Sequence, residues 1–158
     1  MKRVSIIFLF ILTIISYQNV IFASYNSEAL VEELHQEVER VFKERSKIWN
    51  QLLMGQYVSI DEIEEDLNEF IIGPLLKLDI EMFEHMLNNP TSYEGISNVS
   101  VKSIYVVKNS LNRVKLECIM LWDILGYENE YTEEIKYIVE MENIKDRWML
   151  SNYQISEY

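Results

Sequence analysis

Apolar positions along this chain recur at one period in its first half and at another in its second. Between Ser27 and Met54 they fall at Leu30, Leu34, Val38, Val41, Ile48 and Leu52, with Val31, Phe42, Trp49 and Leu53 beside them. Steps of three, four and seven place these residues on one side of a long α-helix. Ser27 is its expected N-cap and Gly55 its stop. Arg45 interrupts the stripe, which argues against a long coiled coil.

A second helix opens at Ser59-Ile60-Asp61-Glu62. Ser59 and Glu62 have the spacing of a capping box, and acidic residues fill the first turn, where the helix dipole favours them. Ile60, Ile63, Leu67, Phe70 and Ile71 form its apolar face, and Gly73-Pro74 ends it. Pro74 then suits the first turn of a third helix, with Leu75, Leu76, Asp79, Met82, Phe83, Met86 and Leu87 on its stripe. Asp79 is the one polar member. Asn88-Asn89-Pro90 closes the helical half.

From Val99 the period falls to two. Strands are expected at Val99 to Lys108, Arg113 to Leu125, Glu130 to Glu142 and Arg147 to Ser156. The second places Val114, Leu116, Cys118, Met120, Trp122 and Ile124 on one face, while Ile119 and Leu121 add apolar character to the other. The short connections imply an antiparallel meander. Helices followed by such a sheet predict an α+β domain, N-terminal helices packed on a curved, cone-like, four-stranded antiparallel sheet. The apolar outer face of the second strand is expected to be covered too, by the first helix or by a partner.

Ahead of this domain stands a different pattern. Lys2 and Arg3 precede an apolar run from Val4 to Ile15, broken only by Ser5 and Thr13, and Val20 to Ala23 follow a polar interval. This is the form of a signal peptide ending near Ala23. Ile21 is bulky for the position it would hold before the cleavage site. The same stretch, Val4 to Phe22, is long enough to remain as an uncleaved anchor. The expected organisation is therefore a leader at 1–23 and one domain at 24–158. Localisation is expected to be secreted or extracytoplasmic, at the cell envelope, with membrane attachment only through an uncleaved leader.

Net charge is −12, and Lys2 and Arg3 contribute +2 of it, so the chain beyond the leader stands near −14. Such a field repels phosphate backbones and disfavours nucleic-acid binding. One cysteine, Cys118, excludes an intrachain disulfide, and its apolar surroundings point to an inert buried thiol.

The segment Ile135 to Tyr153 is an alternating strand, a short polar turn, then Trp148 and Leu150 opening the closing strand. With the helices ahead of it, it resembles the nuclear transport factor 2-like (cystatin-like) superfamily. It is similar to secreted Gram-positive members, including cystatin-like lipoproteins of conjugative elements. Unlike those lipoproteins, this chain has no lipid-accepting cysteine near its leader. The resemblance implies a sheet wrapped into a cone around a pocket. It also implies one of two uses: enzymes acting through an Asp or an Asp–His pair, or modules that only bind or assemble.

No catalytic motif or nucleophile elbow accompanies the fold pattern, and no catalytic residue, metal ligand or cofactor is assigned. His35, among glutamates, reads as solvated, and His85 as a boundary residue. Asp61, Glu62, Glu64, Glu65, Asp66 and Glu69 read as a solvated acidic face. Asp79 and Asp123 are the carboxylates in apolar settings, where burial would raise a pKa toward that of a general base; each otherwise pairs locally or sits at the sheet rim. The candidate pocket is lined by Trp122, Asp123, Tyr137, Trp148 and Asp79. Tyr105, Tyr127, Tyr131 and Tyr153 extend the aromatic set of the sheet. The expected function is a non-catalytic binding or assembly module, homodimeric or joined to an envelope protein through its sheet face. The alternative is a small-molecule-binding protein or enzyme using the cone.

Overall fold

The computed structural model describes residues 2–89 and 94–156, with side chains from residue 28 onward. The chain divides into two compact units, residues 1–33 and 34–158. The first is helical from Lys2 and belongs to helix α1, Lys2–Leu53. This places Ser27 inside α1 and not at an N-cap. The leader, residues 1–23, lies outside the residues whose side chains are described. Among those that are described, no helix is long and apolar enough to cross a membrane. The second unit holds the rest of α1, helices α2 (Ile60–Leu67) and α3 (Gly73–Asn88), and strands β1 (Gly95–Ser110), β2 (Arg113–Leu125), β3 (Glu130–Ile144) and β4 (Arg147–Ile155). It is an α+β layer: the helices pack on one face of a four-stranded antiparallel sheet of order β1-β2-β3-β4.

Local chemistry sets the helix ends. α1 stops at Gly55, whose φ of +67° only glycine adopts without strain. The Gln56 N–H then reaches back to the Gln51 carbonyl at 2.9 Å. Ser59 caps α2 by accepting the Glu62 N–H (3.4 Å), while the Glu62 carboxylate accepts the Val58 N–H (3.2 Å). α2 ends earlier than its apolar stripe, at Leu67. A turn at Phe70 leads instead into Ile71, which pairs parallel with Leu150 at the centre of β4. The Ile72 N–H donates to the Leu150 carbonyl, and the Leu150 N–H donates to that of Phe70, both at 2.9 Å. The free edge of β4 is thereby closed by main chain.

The opposite edge, on β1, is closed by side chains of α1. Asn50 Nδ2 donates to the Ile96 carbonyl (2.6 Å), and Asn50 Oδ1 accepts the Ile96 N–H (3.0 Å). Five residues on, Glu39 Oε2 accepts the Val101 N–H (2.9 Å) and His35 Nε2–H donates to the Val101 carbonyl (3.0 Å). His35 is thus a half-buried edge cap and not a solvated histidine. β1 also starts earlier than its alternation suggests, because its register shifts three times against β2. These bulges turn the strand and blur the period that a sequence shows.

Leu34, Val38, Val41 and Phe42 of α1, Ile63 and Leu67 of α2, and Phe83 of α3 meet the inner face of the sheet and are almost completely buried. That face carries Leu116, Cys118 and Met120 of β2, Val139 and Met141 of β3 and Leu150 of β4. Among the described residues of the second unit, no helix lies on the outer face. It carries ion pairs instead: Arg113–Glu142, Lys115–Glu140, Lys136–Glu117 and Lys102–Glu134. Ile119, Leu121 and Ile138 sit half-buried among their aliphatic stems.

Candidate functional site

The sheet opens at the end where β2 finishes and β3 begins. There the last turns of α1 stand over β1, β2 and β3 and leave a cleft of about 340 Å³, lined by Trp49, Glu94, Ile96, Trp122, Ile124, Glu133, Ile135 and Tyr137. Alternation along the strands places Trp122 and Ile124 of β2 on the inner face, with Glu133, Ile135 and Tyr137 of β3 beside them. Glu133 stands directly opposite Trp122 in the register. The lip is fixed from α1: Trp49 Nε1–H donates to the Glu94 carbonyl (2.9 Å), next to the Asn50–Ile96 pair. The Glu94 carboxylate accepts the Tyr131 hydroxyl proton (2.8 Å).

The cleft floor continues into an aromatic cluster. Phe42 touches Trp122, Tyr137 and Tyr153, with ring centroids 5.9, 6.0 and 5.4 Å away. Tyr137 meets Trp122 at 6.3 Å and Tyr153 at 5.8 Å. All but the tilted Phe42–Tyr137 pair meet edge-on, which suits ring quadrupoles and holds the wall rigid. Burial pushes the Tyr137 hydroxyl pKa up to about 12. The nearby tyrosine Tyr153 and the Glu133 charge add to the rise, while Arg45 and the Trp122 indole oppose it. The indole Nε1–H acts on that hydroxyl without reaching hydrogen-bond geometry, and it is buried with no partner.

Behind the cluster lies an ion pair. Arg45 Nε donates to Asp79 Oδ2 and Arg45 Nη2 to Asp79 Oδ1, both at 2.8 Å. The guanidinium lies 5.3 Å from the Tyr153 ring centroid. Burial works to lower the Arg45 pKa, and the hydrogen bonds and charge of Asp79 more than reverse this.

Of the five residues nominated for a pocket, Trp122 and Tyr137 share the cleft. Asp79 is buried behind it on Arg45. Trp148 is buried at the start of β4 and does not line the cleft. Asp123 lies on the outer side of β2, where Thr132 Oγ1–H (2.6 Å) and Asn98 Nδ2–H (3.2 Å) donate to its carboxylate. Those two bonds, Thr132 first, hold its pKa below the ordinary value, the reverse of a burial-raised general base. Trp49, Glu94, Ile96 and Glu133 also line the cleft and escaped the sequence reading of a pocket. Trp49 was visible as an apolar member of the α1 stripe, but nothing local linked it to strands beyond residue 94.

The remaining reactive groups are quiet. The Cys118 thiol is buried, and desolvation pushes its pKa up to about 12. His85 is exposed near Asn89. Asp66 of the acidic α2 face accepts the Tyr57 hydroxyl proton at 2.6 Å.

No protein-family model matches the chain, and no curated protein sequence matches it. Several solved structures are similar in part, two of them as follows. The crystal structure of the intermembrane space region of the chloroplast protein ARC6 shares 17% identity over 78% of this chain and 97% of its own, with a TM-score of 0.48. A protein described as a Ca/calmodulin-dependent kinase II association domain, from Exiguobacterium sibiricum, shares 13% identity over 47% of this chain and 58% of its own, with a TM-score of 0.35.

Proposed function

We propose that the chain is an exported, non-catalytic binding or assembly module built on a nuclear transport factor 2-like plan. The observation that carries the binding reading is the open cleft, with aromatic walls braced by a rigid cluster and a carboxylate at its mouth. Pre-formed, largely apolar concavities with a few placed polar groups are the usual form of a binding site. The two carboxylates nominated for chemistry are engaged elsewhere, Asp79 by Arg45 and Asp123 by Thr132 and Asn98. Export rests on the leader pattern of residues 1–23. The assembly reading, a homodimer or an envelope partner at the sheet face, draws on Ile119, Leu121 and Ile138 half-exposed between the outer ion pairs.

The test is retention of envelope components by the immobilised full chain and by two variants that keep its circular dichroism. Ile135→Glu charges the cleft and Ile119→Glu charges the outer face. Loss with Ile135→Glu alone supports the cleft, and loss with Ile119→Glu alone supports the sheet face. Equal retention by all three ends both readings. Export is checked by mass spectrometry of the medium and envelope: an N-terminus just after Ala23, or an intact Met1 in the membrane fraction, fits, and a purely cytoplasmic chain does not.

The second reading is a small-molecule-binding protein or an enzyme using the same concavity. The apolar floor of Trp122, Ile124, Ile135 and Tyr137 favours it. A co-crystal or fluorescence screen with a neutral small-molecule library separates the two readings.

A further inference from the structure

The mouth of the cleft has a charge sign. Glu133 projects beside Trp122 and acts electrostatically on both Tyr137 and Tyr131. Glu94 stands on the other lip, and among the described residues no lysine or arginine lines the cleft. The Glu94 carboxylate is already engaged by the Tyr131 hydroxyl. Glu133 is exposed, faces aromatic walls and belongs to a chain of net charge −12. Ring faces beside a carboxylate attract cations, through the ring quadrupole and through plain charge. An anionic occupant would meet repulsion from both lips.

We infer that the cleft receives a basic side chain, lysine or arginine, of an extended peptide segment, with its cationic head between Glu133 and the rings of Trp49 and Tyr137. This rests on the binding reading of the cleft and names its occupant. The cleft is open to one side and of about 340 Å³, which fits a side chain offered by a larger partner. A peptide also brings flanking main chain to lie along the open side of the cleft, which a free amine does not, so the peptide is the better match. The negative field of the whole protein steers such a partner in and makes the association weaken with salt.

The test titrates the full chain with a glycine pentapeptide of blocked termini carrying one central lysine, followed by calorimetry and by fluorescence of Trp49 and Trp122. The expected result is saturable binding that weakens at least about tenfold when the lysine Nε is acetylated, and by a similar factor in Glu133→Gln. Glu134→Gln, on the outer face beside Lys102, is expected to bind as the native chain does. Equal binding of the acetylated peptide, or no effect of Glu133→Gln, overturns the inference. So does n-butylamine binding as tightly as the peptide, which would make the occupant a free amine. An acetylated peptide that binds equally well, but not to Ile135→Glu, leaves the binding reading standing while ending this one. Failure of the lysine peptide to bind at all ends the inference too, and the envelope-retention experiment then judges the cleft independently.

Discussion

Asp79 and Asp123 each sit among apolar neighbours in the chain, yet the fold gives them opposite surroundings. Asp79 is 4% exposed between α1 and α3 and shares both oxygens with Arg45. Asp123 lies on the outer side of the sheet, in reach of water, with a threonine and an asparagine for partners. The difference teaches where a polar contact carries weight. A buried charge cannot fall back on solvent, so its partner is obligatory. An exposed carboxylate loses a hydrogen bond and regains one from water.

The sharpest way to break this contrast is to remove one member of the buried pair. Asp79→Ala leaves the Arg45 guanidinium without its counter-charge, and the expected loss is about 3–5 kcal/mol in urea denaturation. The double substitution Arg45→Met with Asp79→Leu removes the charges and keeps the volume. It is expected to restore most of that loss, because the pair's favourable interaction largely offsets its own desolvation. If the double variant were as unstable as Asp79→Ala, the packing of Arg45 against Tyr153, and not the charge balance, would be what matters.

An intermediate case lies on the β1 edge. Asn50 is half-buried and satisfies both main-chain groups of Ile96. Asn50→Ala orphans a donor and an acceptor that water reaches only in part. The expected cost is about 1–3 kcal/mol, below that of Asp79→Ala. Hydrogen exchange localises the effect: the N-terminal part of β1 should lose protection while β4 keeps its own. The β4 edge is immune because main chain closes it, through Phe70 and Ile72. Equal loss on both edges would mean that the sheet opens as one unit.

Much of this architecture was legible from local signals, and the rest depended on distant ones. β2 begins and ends where its alternation does, at Arg113 and Leu125. The Ser59 cap, the Gly55 stop and the proline in the first turn of α3 follow from steric and hydrogen-bonding rules that act within a few residues. Phe70 and Ile71 were read as helix because they keep helical spacing; pairing of Ile71 with Leu150, nearly eighty residues on, overrides that preference. Arg45 looked like a flaw in a stripe, since its partner stands 34 residues away on another helix. The candidate site was legible in its aromatic strand residues, Trp122 and Tyr137. The wall from α1 was not, because it is set by how the layers stack. Asp123 was nominated for the pocket against its own alternation: it is next in sequence to Trp122, and one step along a strand moves a side chain to the other face.

Asp123 supplies the smallest expected effect and the clearest sign. Its pKa is lowered in the folded chain by Thr132 and then by Asn98. A carboxyl whose folded pKa lies below its unfolded value, about 3.9, stabilises the fold above that value and loses the contribution as pH falls through the folded pKa. Asp123→Asn is therefore expected to lie slightly below the native chain in urea midpoint near neutral pH and to converge with it on acidification below about pH 4. Thr132→Val should move the Asp123 titration, followed by carboxyl NMR, back toward the ordinary aspartate range, since it removes the larger of the two causes. A gap that widened on acidification would reverse the sign. It would mean that the protonated form is the one the fold prefers, and it would turn Asp123 from a rim carboxylate into an acid of the kind its apolar sequence neighbours suggest.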